Sequence, residues 1–293
     1  MSRNLYVSLA TCFALPLLVS CYQAGSPQSA AQPNAAEVSN DDPARIMQST
    51  SPPYRTHPTS RVQAQLSIAR LSTNQLTPSM SNALYGVDIS KWNATILDRA
   101  LSSGLIHFVI LRATYGRSPD PTFEANWQKL NASGIPHGAY HFYLVSQPPT
   151  GQLQTFLRLY SRSGNLALPP IVDFEELSFS GADPALPLTK VQGDLLLALQ
   201  HLEEVTGEVP ILYTDVPTGN RYLNDSRFSR FPLYIADWTQ RNYPTLPDAW
   251  MNVGFRFWQR SSTYYFEGAP DTAVDLDVFF GDVRDLLRRP MAP

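Results

Sequence analysis

Residues 171–176 read IVDFEE. Two aliphatic residues run straight into Asp173, Phe174, Glu175 and Glu176, so a segment patterned for a protein interior ends in carboxylates. Successive side chains of a strand alternate between its faces, which puts Asp173 and Glu175 on one side and Phe174 on the other. Either the strand merely meets solvent at its end, or two of these acids do chemistry. The pattern of the surrounding chain separates the two readings.

Working outward, short apolar runs alternate with helical patterns. Strands are predicted at 84–89, 106–113, 135–143, 170–174 and 209–213, and three more at 232–236, 254–259 and 272–276. Between the first five lie helical repeats. Ile96, Leu97, Ala100 and Leu101 recur at helical spacing, and Asp120-Pro121 opens a helix whose face carries Phe123, Trp127 and Leu130 before Gly134. A helix is predicted around 152–162. Leu188, Val191, Leu195, Ala198, Leu199, Leu202 and Val205 give the clearest helix, at i, i+3, i+4 and i+7. A last helix is expected over 279–289. Apolar strands alternating with helices imply a parallel sheet under a helical cover. Eight such strands with about five helices predict an α/β fold, an irregular (β/α) barrel of the TIM-like (βα)5β3 kind. An open doubly wound sheet is the runner-up, but it would show a Gly-rich turn after the first strand, where Val87-Asp88-Ile89-Ser90 stands.

A closed barrel gives the acids a common address. Asp88, Asp173, Glu175, Asp237 and Asp275 are each placed at the C-terminal end of a predicted strand, the end at which barrel enzymes build their sites. Closure sets the first and eighth strands side by side. Crowded carboxylates cannot all ionise, so at least one should keep its proton near neutral pH. A proton donor beside ionised carboxylates is what cleavage of a glycosidic bond requires. Aromatic residues near the same rim supply platforms for sugar faces: Trp92, Tyr115, Tyr140, Tyr143, Tyr213, Trp238 and Trp258. Trp258 alternates with Gln259, so one of the two faces the barrel.

Other chemistries fit less well. His137 and His141 have a metal-ligand spacing for a helix, but on a strand they stand ~13 Å apart, too far for one ion. No run of closely spaced oxygen ligands suggests Ca²⁺ or Mg²⁺, and no G-x-S-x-G suggests a serine hydrolase. With a formal net charge of −3 and no basic stripe, nucleic acid is a poor partner.

The 293-residue chain holds one large domain, at 81–293, and appendages. Arg3 followed by an apolar run to Ser20, broken by Pro16, is too short for a membrane span and reads as an export signal over 1–20. Leu18-Val19-Ser20-Cys21 resembles the bacterial lipobox, which predicts cleavage before Cys21 and lipid on its thiol. Cys12 would leave with the signal, so no disulfide framework remains. Tyr22 stands where an Asp would mark inner-membrane retention. The expected location is therefore the cell envelope, lipid-anchored, and the outer membrane or periplasm of a double-membraned cell. Residues 21–80, rich in Ser, Pro, Gln and Ala, read as a tether that gives the domain reach.

Across residues 84–290 the sequence resembles glycoside hydrolase family 25, the lysozymes. The marks, in order, are Tyr85-Gly86-Val87-Asp88-Ile89-Ser90, Phe108-Val109-Ile110-Leu111-Arg112-Ala113-Thr114, Asn126, Gly134-Ile135-Pro136-His137-Gly138-Ala139-Tyr140-His141-Phe142, Ile171-Val172-Asp173-Phe174-Glu175, Ile211-Leu212-Tyr213-Thr214, Tyr234-Ile235-Ala236, Phe257-Trp258-Gln259 and Val274-Asp275-Leu276-Asp277-Val278-Phe279. The resemblance implies hydrolysis of the β-1,4 bond between N-acetylmuramic acid and N-acetylglucosamine in peptidoglycan, retaining configuration through the substrate's own N-acetyl group. It implies Glu175 as general acid, Asp173 as the residue orienting the N-acetyl group, Asp88 and Asp275 completing the acidic rim, and neither metal nor organic cofactor. Tyr140, Tyr213, Trp238 and Gln259 are the candidate substrate-binding residues, and a monomer is expected. Two departures stand out: Tyr234 where many relatives have Trp, and the segment 177–187 after the acidic motif. A chitinase on a similar barrel would want acids at 171 and 168, where Ile and Leu stand. A catalytically inactive wall-binding lipoprotein is the remaining alternative. If Cys21 carries the lipid, Cys21→Ser abolishes incorporation of labelled fatty acid and shifts the protein from the membrane to the soluble fraction; label retained by the serine variant would place the anchor elsewhere.

Overall fold

The computed structural model describes residues 83–160, 166–239 and 241–288. The predicted signal, Cys21 and the tether lie outside the described residues. The described chain forms strands β1 (Ala83–Ile89), β2 (Phe108–Tyr115), β3 (Ser118–Pro119), β4 (His137–Phe142), β5 (Ile171–Asp173), β6 (Ile211–Asp215), β7 (Leu233–Ala236), β8 (Phe257–Tyr264) and β9 (Val274–Phe280). Its helices are α1 (Leu97–Ser102), α2 (Phe123–Ser133), α3 (Leu153–Tyr160), α4 (Leu188–Thr206), α5 (Val216–Tyr222) and α6 (Val283–Leu287). Hydrogen bonds run around the ring β1-β2-β4-β5-β6-β7-β8-β9 and back to β1, closing the barrel. The two-residue β3 only hairpins onto the end of β2.

From β1 to β8 every barrel neighbour is parallel. β9 is antiparallel to both β8 and β1. This corrects the expectation of a wholly parallel sheet with Asp275 at the end of the eighth strand. The strand runs over 274–280 instead of 272–276, and Asp275 lies at its start. Only residues 265–273 separate β8 from β9, and a parallel return needs a crossover of a dozen or more. Reversal still carries Asp275 to the rim that holds the C-terminal ends of the other strands, directly opposite Asp88.

Alternation along the strands splits the interior into two cores. Inward positions form a plug of Phe108, Ile110, Ile171, Ile211, Phe257 and Phe279, all buried. Outward positions, among them Val109, Val172, Phe174, Leu212, Ile235 and Val278, pack under the helices. α4 contributes Val191, Leu195, Ala198, Leu199 and Leu202 to that outer core, while its ends, Leu188 and Val205, are exposed. Gly207 stops the helix in the left-handed conformation, φ 70°, that glycine adopts without steric penalty. His137 and His141 both face this outer layer. His137 bonds Ile135 O (2.8 Å) and Asn131 Oδ1 (3.1 Å); His141 bonds Thr114 Oγ1 (2.7 Å) and Gln152 Oε1 (3.1 Å). Each serves as a satisfied interior polar group.

Gly86 faces the plug. A Cβ there would stand 2.2 Å from the Phe108 ring, which fills the space that glycine leaves. Overpacking of this kind costs about 1–3 kcal/mol. Gly86→Ala is therefore expected to lower the urea-unfolding free energy by that order, and the loss to shrink in a Phe108→Leu background. Equal stability of Gly86→Ala and wild type would contradict this packing.

Candidate active site

The plug stops short of the upper rim, and there the inward positions turn polar. β1 supplies Asp88, β2 Arg112, β4 Tyr140, β5 Asp173, β6 Tyr213 and β9 Asp275. Glu175 follows two residues after Asp173, in extended backbone at φ −140°, so it keeps the inward side of the strand; Phe174 between them is fully buried in the outer core. Ser178 fixes this exit. Its hydroxyl accepts from Glu175 N (3.1 Å), and its amide donates to Glu175 O (3.0 Å).

Sequence reasoning placed Asp88, Asp173, Glu175 and Asp275 together, and the structure brings all four to one mouth. Burial shifts all four upward, and charge within the group adds to the shift of Asp173, Glu175 and Asp275. Burial pushes the Asp173 carboxyl well above the usual carboxylate range, Glu175 and Asp88 add to this, and Arg112 opposes it. Burial also raises Glu175 to about 7, with further contributions from Asp215, Asp88 and Glu176. Asp275 is raised well above its ordinary value by burial and by Asp88, to which it is also hydrogen bonded. Asp88 rises by burial, offset by hydrogen bonds from Gln259, Tyr234 and Asp275.

Gln259 is the hub of the rim. Its Nε2 donates to Asp88 Oδ2 (2.7 Å), and its Oε1 accepts from Tyr213 Oη (3.1 Å) and Trp238 Nε1 (2.9 Å). Trp238 remains 60% exposed, a flat indole presented to solvent with its N–H anchored. Trp92 is also half exposed, with Lys91 Nζ 4.6 Å above its ring. Tyr140 faces the same interior and packs against the plug. Two aromatics expected at the rim belong elsewhere. Tyr143 and Trp258 are outward and fully buried, and Trp258 Nε1 donates to Asp237 O (2.8 Å). Strand alternation explains both, and Gln259 is the member of its pair that faces in. Asp237 holds its own loop, accepting from Thr245 N (2.6 Å).

Three charged residues escaped sequence reasoning. Arg112 enters the mouth and is paired with fully buried Asp120 (Nε to Oδ2, 2.9 Å), giving the acidic ring a fixed cation. Asp215 caps α5, accepting from Thr218 N (2.7 Å) and Thr218 Oγ1 (3.1 Å), and its charge acts on Glu175. The Asp-Val-Pro run at 215–217, an N-cap residue before a first-turn Pro, was a legible trace of it. Asp277 is wholly buried beneath the rim, and nothing local in the sequence distinguishes it from a strand-end acid.

No group of three or more His, Cys, Asp or Glu among the described residues is arranged to hold a metal ion. What remains is an aromatic-edged mouth of crowded carboxyl groups raised above their ordinary range, the equipment for general acid catalysis on a polar substrate.

These features define a glycosidase-like barrel, and comparison with known proteins agrees. Residues 87–269, more than half of the chain, match glycosyl hydrolases family 25, and the chain belongs to that family of glycoside hydrolases. It is similar to the uncharacterized protein YegX of Escherichia coli strain K12, 28% identical over 212 residues, covering 70% of this chain and 73% of YegX. The N,O-diacetylmuramidase of Arthroderma benhamiae is 25% identical over 214 residues, 71% of this chain and 87% of its own. Among solved structures, a family 25 glycosyl hydrolase from Bacillus anthracis superposes with a TM-score of 0.61 at 25% identity, covering 71% of this chain and 94% of that one.

The electrostatics generate a direct expectation. Carbon-13 NMR should find the Glu175 carboxyl titrating near 7. Asp215→Asn should lower that value, because Asn still caps α5 while the charge is removed. An unchanged titration in this variant would show that position 215 does not act on Glu175.

Proposed function

We propose that this chain is a lysozyme that hydrolyses the β-1,4 bond between N-acetylmuramic acid and N-acetylglucosamine in peptidoglycan, with retention of configuration. The observation that carries this reading is the position of Glu175 at the mouth of an acidic barrel, where burial and neighbouring acids raise its carboxyl to about 7. Family membership and the similarity to a muramidase support it.

Glu175 protonates the glycosidic oxygen as the bond to C1 breaks. The substrate's acetamido oxygen attacks C1 from the other face, so no protein nucleophile is needed, a known exception to the two-carboxylate scheme. Asp173 receives the acetamido N–H. Its Oδ1 is buried without a hydrogen-bond partner among the described residues, an acceptor that such a donor would satisfy. Donation to Asp173 favours its ionised form, so substrate binding concentrates the remaining proton on Glu175. Water then opens the cyclic intermediate while Glu175 takes a proton back. Asp88 and Asp215 help hold Glu175's pKa high, Asp275 shares its proton with Asp88, and Trp238, Tyr140, Tyr213 and Gln259 line the sugar path. Lipid on Cys21 would hold this domain at the cell envelope; no helix among the described residues is long and apolar enough to cross a membrane.

Digestion of purified peptidoglycan, followed by mass spectrometry of the new reducing ends, tests the reading: muramic acid ends are expected, and glucosamine ends or binding without cleavage would overturn it. General acid catalysis contributes about 10²–10⁴-fold, so Glu175→Gln should lose that factor in kcat while folding normally. The acid must be protonated to act, so the rate should fall as pH rises through about 7.

A further inference from the structure

Tyr234 Oη lies 2.5 Å from Asp277 Oδ1 and 3.1 Å from Asp88 Oδ2. A phenol has one proton and can donate it to only one of them. The state of Asp277 therefore decides what Asp88 receives. Asp277 is 0% exposed, and its Oδ2 is buried with no hydrogen-bond partner among the described residues. The charged neighbours acting on it are Asp88 and Asp275, both acids, and its facing partners across the ladder are Gly86 and Gln259, both uncharged. An ionised Asp277 would be an uncompensated buried anion with one oxygen unserved. A neutral one leaves only a carbonyl oxygen short of a donor, the smaller cost.

We propose that Asp277 is a positioning residue, a neutral carboxylic acid whose O–H donates to Tyr234 Oη and so commits the tyrosine's own proton to Asp88. Burial and the two neighbouring acids also hold its carboxyl well above the usual range. Asp88 Oδ2 then accepts from both Tyr234 and Gln259, bonds that favour its ionised form against burial. The charge on Asp88 is one of those that raise Glu175. A residue that cannot touch substrate thus sets the proton affinity of one that does. This rests on Glu175 being the general acid only where rates are read; the protonation of Asp277 does not depend on it.

Infrared difference spectra between wild type and Asp277→Asn at neutral pH read the proton directly, and the C=O stretch of a protonated carboxylic acid should be lost in the variant. No such loss overturns the proposal whatever the enzyme cleaves. In the pH–rate profile, Asp277→Leu removes the donor. The Tyr234→Asp88 bond weakens and Asp88 becomes harder to ionise, so the acidic limb of the profile, set where the carboxylates of the mouth take up protons, moves up. Tyr234→Phe deletes that bond outright and should move the limb by about 0.5–1 pH unit, the equivalent of one hydrogen bond. Asp277→Asn, which keeps an N–H donor and changes no charge if Asp277 is neutral, restores both limbs. A downward shift of the profile in Asp277→Asn means that a charge was removed, and it overturns the assignment; so does a Tyr234→Phe profile with both limbs in place.

Discussion

Closing the barrel sets Asp88 directly opposite Asp275. Like charges facing each other across adjacent strands oppose pairing. The ladder between β1 and β9 and the proton between these two carboxyls are therefore one constraint. With Asp275 protonated and hydrogen bonded to Asp88, the strands close on one charge instead of two. Everything at the mouth inherits that arrangement. Asp88 carries the charge, accepts from Gln259 and Tyr234, and acts electrostatically on Glu175 and Asp173.

The two-layer interior makes the constraint tolerable and useful. The apolar plug beneath the rim excludes water from one side of the carboxylates, which raises their pKa values more than their mutual repulsion does. That elevation has a sign in stability. A carboxyl raised by folding contributes fully below its unfolded value, 4.5 for Glu175, and the contribution is lost as pH rises through about 7. For Glu175 alone this amounts to roughly 3 kcal/mol above neutrality. The mouth is thus a place where the fold spends stability, and the outer core under α4 and the other helices offsets it. Destabilised, pre-charged sites of this kind are where activity and stability trade against each other.

Much of this was legible in the sequence because it follows from period-2 alternation. Asp173 and Glu175 facing in and Phe174 facing out come from counting along a strand; the same count shows that one of Trp258 and Gln259 enters the barrel but not which. The clearest helix was readable from α4's 3.6-residue period. What failed to show were pairings between distant positions. The direction of β9 depends on the length of its connection, and its hydrophobic pattern reads the same either way. Tyr143 carries a rim-like aromatic signature but falls on the outward register. Arg112 is recognisable as a site residue only once β3 brings Asp120 back beside it, and Tyr234 meets Asp277 only when β7, β8 and β9 are assembled. Periodicity assigns faces; it does not assign partners.

The partners matter because the rim is mechanically continuous with the acids. Gln259 has one amide, and all three of its bonds are specified: two donors on its oxygen, one acceptor on its nitrogen. Reversing that amide would face Nε2–H against two N–H or O–H donors and Oε1 against a carboxylate, so the network permits a single orientation. Trp238, the most exposed member, is held by its indole N–H to the same oxygen that takes the Tyr213 hydroxyl. Trp238 is therefore one amide away from Asp88, and Asp88 bears electrostatically on Glu175. The aromatic edge is linked to Asp88 through hydrogen bonds of fixed direction, and Asp88 to Glu175 through charge. A barrel closed with one strand reversed supplies them without any of these residues lying near another in sequence.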